Sequence, residues 1–468
     1  MFEAISLLLL KIILAASTIL PSSTFSIGYI GNPTTFLPTQ TNLDGEKTIS
    51  NIVFRKLFKY EEGELINDLV ENWEISEDKT EYRIKIKDAK WQDGNPITSD
   101  DILYSITNNP SLRNDVEIEK LDNKTVLLRL PTPNAILPSL LTFGIQPAHL
   151  NGQSPTQPIG SSSYRIARII REQNKIESVI LQSYAGNKKY NRLIFNFYDN
   201  ENDLQTAYKL GEIDAFLSSL DFTYDGLKRE NISFLGRYFS LIYNTKNPKL
   251  VNPELRQTLS KALDINNLLS RNYYLNSTFA QGPISNSEYT KESLKTHEHN
   301  PDLQLTQAEK TTSGSLQVIL PNNQDGRQIE TFLDSFWGDK LEIDLEYIYM
   351  DLEDLINAGK EGTYEVIFIG HEVTPDPDRY IFWHSTQGDD LNLARFEDLR
   401  ADKALEEGRK EFLPLERSKH YNIFQDVMET KVPAVFLYHP GTYFYHSENK
   451  DIPLPKVIYY PSEILNNL

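Results

Sequence analysis

The 468-residue sequence contains no cysteine. That excludes disulfides, thiolate metal sites, iron–sulfur clusters and a cysteine nucleophile. It also excludes a lipid-modified cysteine as a membrane anchor. Basic residues are scarce as well: 47 Lys and Arg against 66 Asp and Glu leave a formal net charge of −19. A nucleic-acid partner is therefore not expected, because such affinity comes largely from Lys and Arg against phosphate. Adhesion of a basic face to anionic lipid is disfavoured for the same reason. The hydrolase signatures G-x-S-x-G and H-E-x-x-H and the phosphate-binding G-x-x-x-x-G-K-[ST] are missing too. No segment after residue 20 is apolar enough to span a bilayer.

What is present describes a folded protein of several lobes. Hydrophobic residues make up 39% and charged residues 24%, which argues against disorder. The length calls for two or three domains. Tyr and Phe number 25 and 22, enough to furnish a pocket for mixed ligands, although most must be core. The first twenty residues, MFEAISLLLLKIILAASTIL, hold an apolar run from Ala4 to Leu20. This reads as an export segment, cleaved or kept as a tether, so residues 1–24 are set apart and the body is expected outside the cytoplasmic membrane.

Periodicity places the elements. FSIGYIGNPTTFLP is a short strand running into a proline-bounded loop. Residues 51–70 read as a helix carrying Ile52, Val53, Leu57 and Phe58, ahead of a turn at Glu61–Gly63. Trp73 and Ile75 alternate before SEDK, and Tyr82, Ile84 and Ile86 alternate after it, which predicts a hairpin. QDGNP predicts a tight turn with Gly94 at positive φ. Thr98 and Asp101 have capping-box spacing at one helix start, and Asn252 with Pro253 marks another. GSLQVIL, LEIDLEYI and YEVIFIG punctuate helical stretches over 313–370 in a β-α-β rhythm. A final helix and strand are separated at Pro433. The class is mixed α/β.

One stretch, GHEVTPDPDRYIFWHS at 370–385, concentrates acids, histidines and aromatics. A paired-acid mechanism needs two carboxylates converging on one bond. Pro375 and Pro377 favour extended backbone, and polyproline geometry sets Asp376 and Asp378 about 120° apart. Asp378 is better placed to cap the helix begun by RYIFWH. His371, Glu372, Asp376 and His384 are possible metal ligands, yet they lack helical ligand spacing. His297 and His299 form a second candidate pair in a polar loop.

The ordered segments LVENWEISEDKTEYRIKIKDAKWQDGNPITSDDILYSI, PIGSSSYRI, AYKLGEIDAF, NPELRQTLSKALDINNLL, GPI, PDPDRYIFWHS and RSKHYNIFQDVMETKVPAVFLYHP resemble the family 5 extracytoplasmic solute-binding proteins of ABC importers, the dipeptide, oligopeptide and nickel type. The resemblance runs from about Phe25 to Pro440. It implies a bilobed, type II periplasmic-binding-protein clamshell with an extra extension lobe. Lobe I would hold 25–50, 156–243 and 437–468, the extension 51–155, and the hinged lobe 244–436. It also implies no catalysis and no cofactor, a peptide or similar solute as ligand, the permease subunits as partners, and a monomer. Hinge closure over the ligand is the implied mechanism.

In peptide-binding relatives the loop matching GHEVT carries an aromatic after the glycine, and an aspartate that pairs with the ligand's α-amino group. His371 and Thr374 stand there in this chain. A buried ammonium without a carboxylate costs several kcal/mol, so Glu372 or Asp376 is expected to supply the charge. The remaining candidate contacts are Thr34, Thr35 and Phe36 in the NPTTF loop, Tyr243 and Asn244 at the lobe crossing, and Trp383 and Gln387. In PIGSSSYRI, Ser162 and Ser163 replace a more usual glycine and proline. Alternatives on the same fold are a surface interaction or sensory protein, a metal-chelate binder and an oligosaccharide binder. An exported hydrolase is the alternative outside it.

Overall fold

The computed structural model describes residues 24–112, 116–184, 188–285 and 297–468. The apolar segment 1–23 lies outside them. The chain forms two compact units. The first ends at Pro133 and resumes over Leu137–Ile232 and Thr442–Leu468, and the second comprises Asn134–Ile136 and Ser233–Gly441. Among the described residues no helix is long and apolar enough to cross a membrane.

The first unit is built on a mixed seven-stranded sheet. Its order is Leu227–Ser233, Gly441–Ser447, Ala215–Ser218, Thr24–Ile30, Arg192–Tyr198, Lys175–Ser183 and Tyr164–Glu172. Thr24–Ile30 runs parallel to both of its neighbours. Phe25 to Tyr29 are all buried, as a central strand covered on both faces requires. A separate four-stranded antiparallel sheet holds the predicted hairpin: Val70–Ile75 pairs with Glu81–Ile86, placing Trp73 opposite Ile84 and Ile75 opposite Tyr82. Gly94 takes φ +94° in the QDGNP turn. Asp101 Oδ2 accepts the Thr98 N–H at 2.7 Å and the Trp91 Nε1–H at 3.2 Å, so one carboxylate ties the turn to the helix Ser99–Thr107.

The helix expected over 51–70 is displaced. It occupies Asp44–Val53, and Phe58–Glu61 and Glu64–Asn67 form a hairpin instead. Glu62 and Gly63 both have positive φ, the geometry of a two-residue hairpin turn, and this overrides the helical reading.

The second unit has a six-stranded sheet ordered Thr278–Phe279, Ala434–His439, Arg237–Tyr243, Val366–Glu372, Ser315–Pro321 and Asp344–Met350. Arg237–Tyr243, expected to close lobe I, lies inside this sheet, hydrogen-bonded on both sides. The boundary therefore falls at Ile232/Ser233. Side chains alternate across the sheet. Leu241, Tyr243, Val318, Leu320, Val366 and Phe368 face a core with Leu255, Leu259, Ile329 and Phe332. Ile242, Ile319, Ile367 and Ile369 face another with Leu355, Leu405, Tyr421 and Phe424. Helices thus cover both faces. The helix Pro253–Lys261 starts as predicted, with Asn252 Oδ1 accepting the Glu254 N–H at 3.0 Å.

Candidate functional site

The acid-rich stretch begins at the carboxyl end of Val366–Glu372, a strand parallel to Ser315–Pro321. Carboxyl ends of parallel strands are where open α/β sheets present ligand-binding loops. Gly370 lets Phe239 pack closely, since a Cβ there would lie 2.9 Å from its ring.

His371 points inward. It is 6% exposed and packed against Phe382 and Tyr238, with centroids at 4.6 and 5.3 Å. Burial, reinforced by the Arg379 charge, pushes its pKa down to about 4, so the ring is neutral near pH 7. Its Nδ1, the Tyr238 hydroxyl and Trp383 Nε1 are buried without meeting hydrogen-bond geometry.

The loop that follows is braced by arginines. Arg379, 3% exposed, donates from Nε to Pro283 O at 2.8 Å, from Nη1 to Asp376 O and Asp378 O at 2.6 and 2.8 Å, and from Nη2 to Thr374 O at 3.4 Å. Asp376, expected as a free charge, has both carboxylate oxygens held by Arg417, at 2.7 and 2.8 Å. Asp378 does not cap a helix: Arg379 is the N-cap of Tyr380–Trp383, without a side-chain cap. Its carboxylate instead takes two bonds from Arg409, at 3.0 and 2.7 Å. Arg409 also lies 4.0 Å over the Tyr380 ring. Glu372 is exposed and pairs with Arg237 at 3.1 Å. Thr374 is exposed and Gln387 half-buried.

Several expected contacts turn out to be internal. Phe36 and Tyr243 are 0% exposed and Trp383 1%, so these rings are core side chains as packed. Asn244 is also buried. Its amide donates to Gly362 O and Tyr364 O at 3.0 Å, and its Oδ1 accepts the Lys246 N–H at 3.1 Å, which shapes a turn. His384 is buried beneath Tyr380, with Nε2 3.2 Å from Glu406 Oε1. His297 is not a solvated loop residue: its Nε2 bonds Leu263 O at 2.9 Å and its ring packs edge-on to Phe279. His299 Nδ1 lies 3.6 Å from Asp264. Among the described residues, no group of three or more His, Asp or Glu side chains could hold a metal ion.

In the first unit, Thr34 is exposed and Thr35 buried. Sequence reasoning missed the residue that fixes them. Glu46, 1% exposed, accepts the N–H groups of Thr34 and Thr35 on Oε1, at 2.6 and 3.3 Å. Its Oε2 takes those of Asn42 and Leu43, at 2.8 and 3.1 Å. These bonds outweigh the cost of burial and hold its pKa below the ordinary glutamate value. The only sequence signal was an acid two residues into the Asp44–Val53 helix. In PIGSSSYRI, the Ser161 and Ser162 N–H groups bond Val53 O, each at 3.0 Å. Gly160 is required there, because a Cβ would sit 2.2 Å from that same oxygen.

The model for "Bacterial extracellular solute-binding proteins, family 5 Middle" matches residues 64–392. The chain belongs to this family. Its curated relatives include a probable di/tripeptide-binding protein 5 of Pseudomonas aeruginosa, 21% identical, with 94% of each chain covered. Among solved structures, a putative peptide-binding protein AppA from Clostridium difficile shares the fold at TM-score 0.79 and 21% identity, over 94% of this chain and 99% of that one. NikZ from Campylobacter jejuni, solved with Ni(L-His), does so at 0.74 and 20%, over 95% and 98%. The type II periplasmic binding fold expected from the sequence is the fold observed. The family is one of binding proteins, outside the cytoplasm, rather than of enzymes.

Proposed function

We propose that this protein is a non-catalytic receptor that captures peptides and delivers them to the permease of an ABC importer. What supports the reading most is the wall at 370–387. Exposed Glu372 and Thr374 and half-buried Gln387 stand on a loop whose backbone carbonyls are clamped by buried Arg379. A rigid edge with few exposed side chains suits recognition of varied peptides through backbone-directed bonds. The Thr34–Phe36 loop, fixed by Glu46, is the proposed contact on the first unit. The names of the Pseudomonas and Clostridium relatives point to peptides as the solute class.

Residues 51–155, with sheets of their own, are proposed as the extension lobe. Segment 1–24 is proposed to export or tether the chain, and the working form to be a monomer. Binding by hinge closure shifts an open–closed balance by the ligand's extra affinity for the closed state. The chain passes between the units at Pro133–Asn134, Ile136–Leu137, Ile232–Ser233 and Gly441–Thr442.

The test is thermal unfolding of the full chain with peptide pools of two to nine residues. A ligand at about 100 times its Kd stabilises the folded state by about 2.7 kcal/mol. A reproducible rise with one length class supports peptide capture. No rise with any pool, alongside a clear rise with a sugar or nickel chelate, overturns it.

A further inference from the structure

The net charge of −19 averages over a surface that is locally uneven. In the seven-stranded sheet of the first unit, three arginines scattered in the sequence come together. Arg165 stands opposite Gln182, Gln182 opposite Arg192, and Arg192 opposite Thr24, so these residues form one row across four strands. Residues opposite one another in a ladder project to the same face. Arg165 and Arg168 would project to opposite faces of a regular strand. A register shift between Ile166 and Arg168 leaves Ala167 as an extra residue and sets Arg168 opposite Ile180. The bulge thus returns Arg168 to the face of Arg165 and Arg192.

Arg165 and Arg168 are exposed and Arg192 is half-buried. Among the described residues none of the three is joined to a carboxylate, and Arg165 lies 6.0 Å over the Tyr184 ring. The charges around Thr24 are already matched. Lys450 Nζ lies 3.4 Å from Asp214, whose carboxylate also accepts the Ser26 N–H. Lys189 pairs with Asp451, and Lys188 donates to Leu468 O at 3.0 Å. Glu172 and Glu177 lie toward the hairpin turn at Gln173, where Lys175 meets Asp199, and Glu212 stands beside Asn196. Residues 1–23 and 185–187 contain a single acid, Glu3.

Uncompensated guanidiniums on an acidic protein form a surface for anions. Where the chain leads decides which anions. Thr24 belongs to the arginine row, and only Pro21, Ser22 and Ser23 separate it from the apolar run ending at Leu20. That is a span of at most about 14 Å. With the run held in a bilayer, the row stands close to the headgroups, whose field extends about 8–10 Å in physiological salt. The same field repels the acidic remainder of the surface, so one orientation is selected.

We propose that this arginine face lies against a membrane containing anionic lipid and orients the tethered protein on it. This rests on the tether reading of segment 1–24.

The test uses the full chain reconstituted into vesicles of phosphatidylcholine, alone or mixed with phosphatidylglycerol. Because the sequence has no cysteine, Ala167→Cys can carry a single fluorophore between the arginines. Spin-labelled headgroups should quench it with phosphatidylglycerol present, far less without, and little in high salt. Each arginine near an anionic surface contributes about fivefold to the face-down population, so Arg165→Gln, Arg168→Gln and Arg192→Gln together should lower it about 100-fold. The three corresponding lysine substitutions should preserve it. Equal quenching in both lipids overturns the proposal, and so does quenching that survives the glutamine substitutions. Displacement by inorganic phosphate beyond that by chloride at equal ionic strength makes this a small-anion site and also overturns it. A chain that stays in the aqueous phase beside neutral vesicles overturns the tether reading and the proposal with it.

Discussion

Replacing Glu46 by Gln removes one charge and almost no volume, and it isolates what holds the Thr34–Leu43 loop. In the wild type, two carboxylate oxygens receive four backbone N–H groups, those of Thr34, Thr35, Asn42 and Leu43. A glutamine keeps one oxygen, which can serve one pair. Its amide nitrogen then faces the other pair donor to donor, and two N–H groups lose their acceptor. These donors are for the most part only partly buried, so the cost of leaving each unsatisfied is about 1–2 kcal/mol, and the local cost for two is about 2–4 kcal/mol. Hydrogen exchange of residues 32–43 reads this directly. Their amides should exchange about 30- to 700-fold faster in Glu46→Gln, while the hairpin Val70–Ile86 stays unchanged.

Acid provides an independent check. The folded-state pKa of Glu46 is depressed, so its stabilisation is present above the ordinary glutamate value and is lost as pH falls through the folded value. Wild-type loop protection should therefore fade on acidification, and that of Glu46→Gln should not respond in the same range. Equal exchange in the two proteins at neutral pH would refute the reasoning, because the four bonds would then carry no net stability.

Three further outcomes follow from the same structure. Asp376→Asn breaks the buried ion pair with Arg417, whose guanidinium is only 4% exposed, and should cost about 3–5 kcal/mol in urea unfolding. His371 and His439 have folded pKa values of about 4, below their unfolded values, so the unfolded state binds more protons as pH falls from about 6.5. Stability should drop by up to about 1.4 kcal/mol per pH unit for each ring through that window, and His371→Phe should remove about half of this slope in urea titrations. Gly160→Ala forces a Cβ against Val53 O and should cost about 1–3 kcal/mol, read from the denaturation midpoint.

Features written in adjacent residues were legible in the sequence. The alternation around SEDK, the Asn252–Pro253 helix start and the three strands of 313–370 rest on local periodicity and caps, and each appears where the pattern puts it. The Asp44–Val53 helix was misplaced because the apolar residues 52–58 fit a helix stripe, while the signal against it was a two-residue turn at Glu62–Gly63. The ion pairs that define the wall were not legible. Asp376 meets Arg417 and Asp378 meets Arg409 across 41 and 31 residues, and no local rule links them. Acids that looked available in PDPD are therefore internal braces. The aromatics Phe36, Tyr243 and Trp383 were marked by position in a resemblance, and burial reassigns them to the core. Glu46 escaped notice because its partners are backbone amides, which carry no residue-specific signature.

The measurement that bears most directly on the central claim is native mass spectrometry of the gently purified full chain. The account predicts a complex of one chain with one peptide of narrow length range, released on mild activation and replaced on incubation with a matched synthetic peptide. A chain that carries no peptide and takes up none, yet retains a sugar or metal chelate at one-to-one stoichiometry, would contradict it.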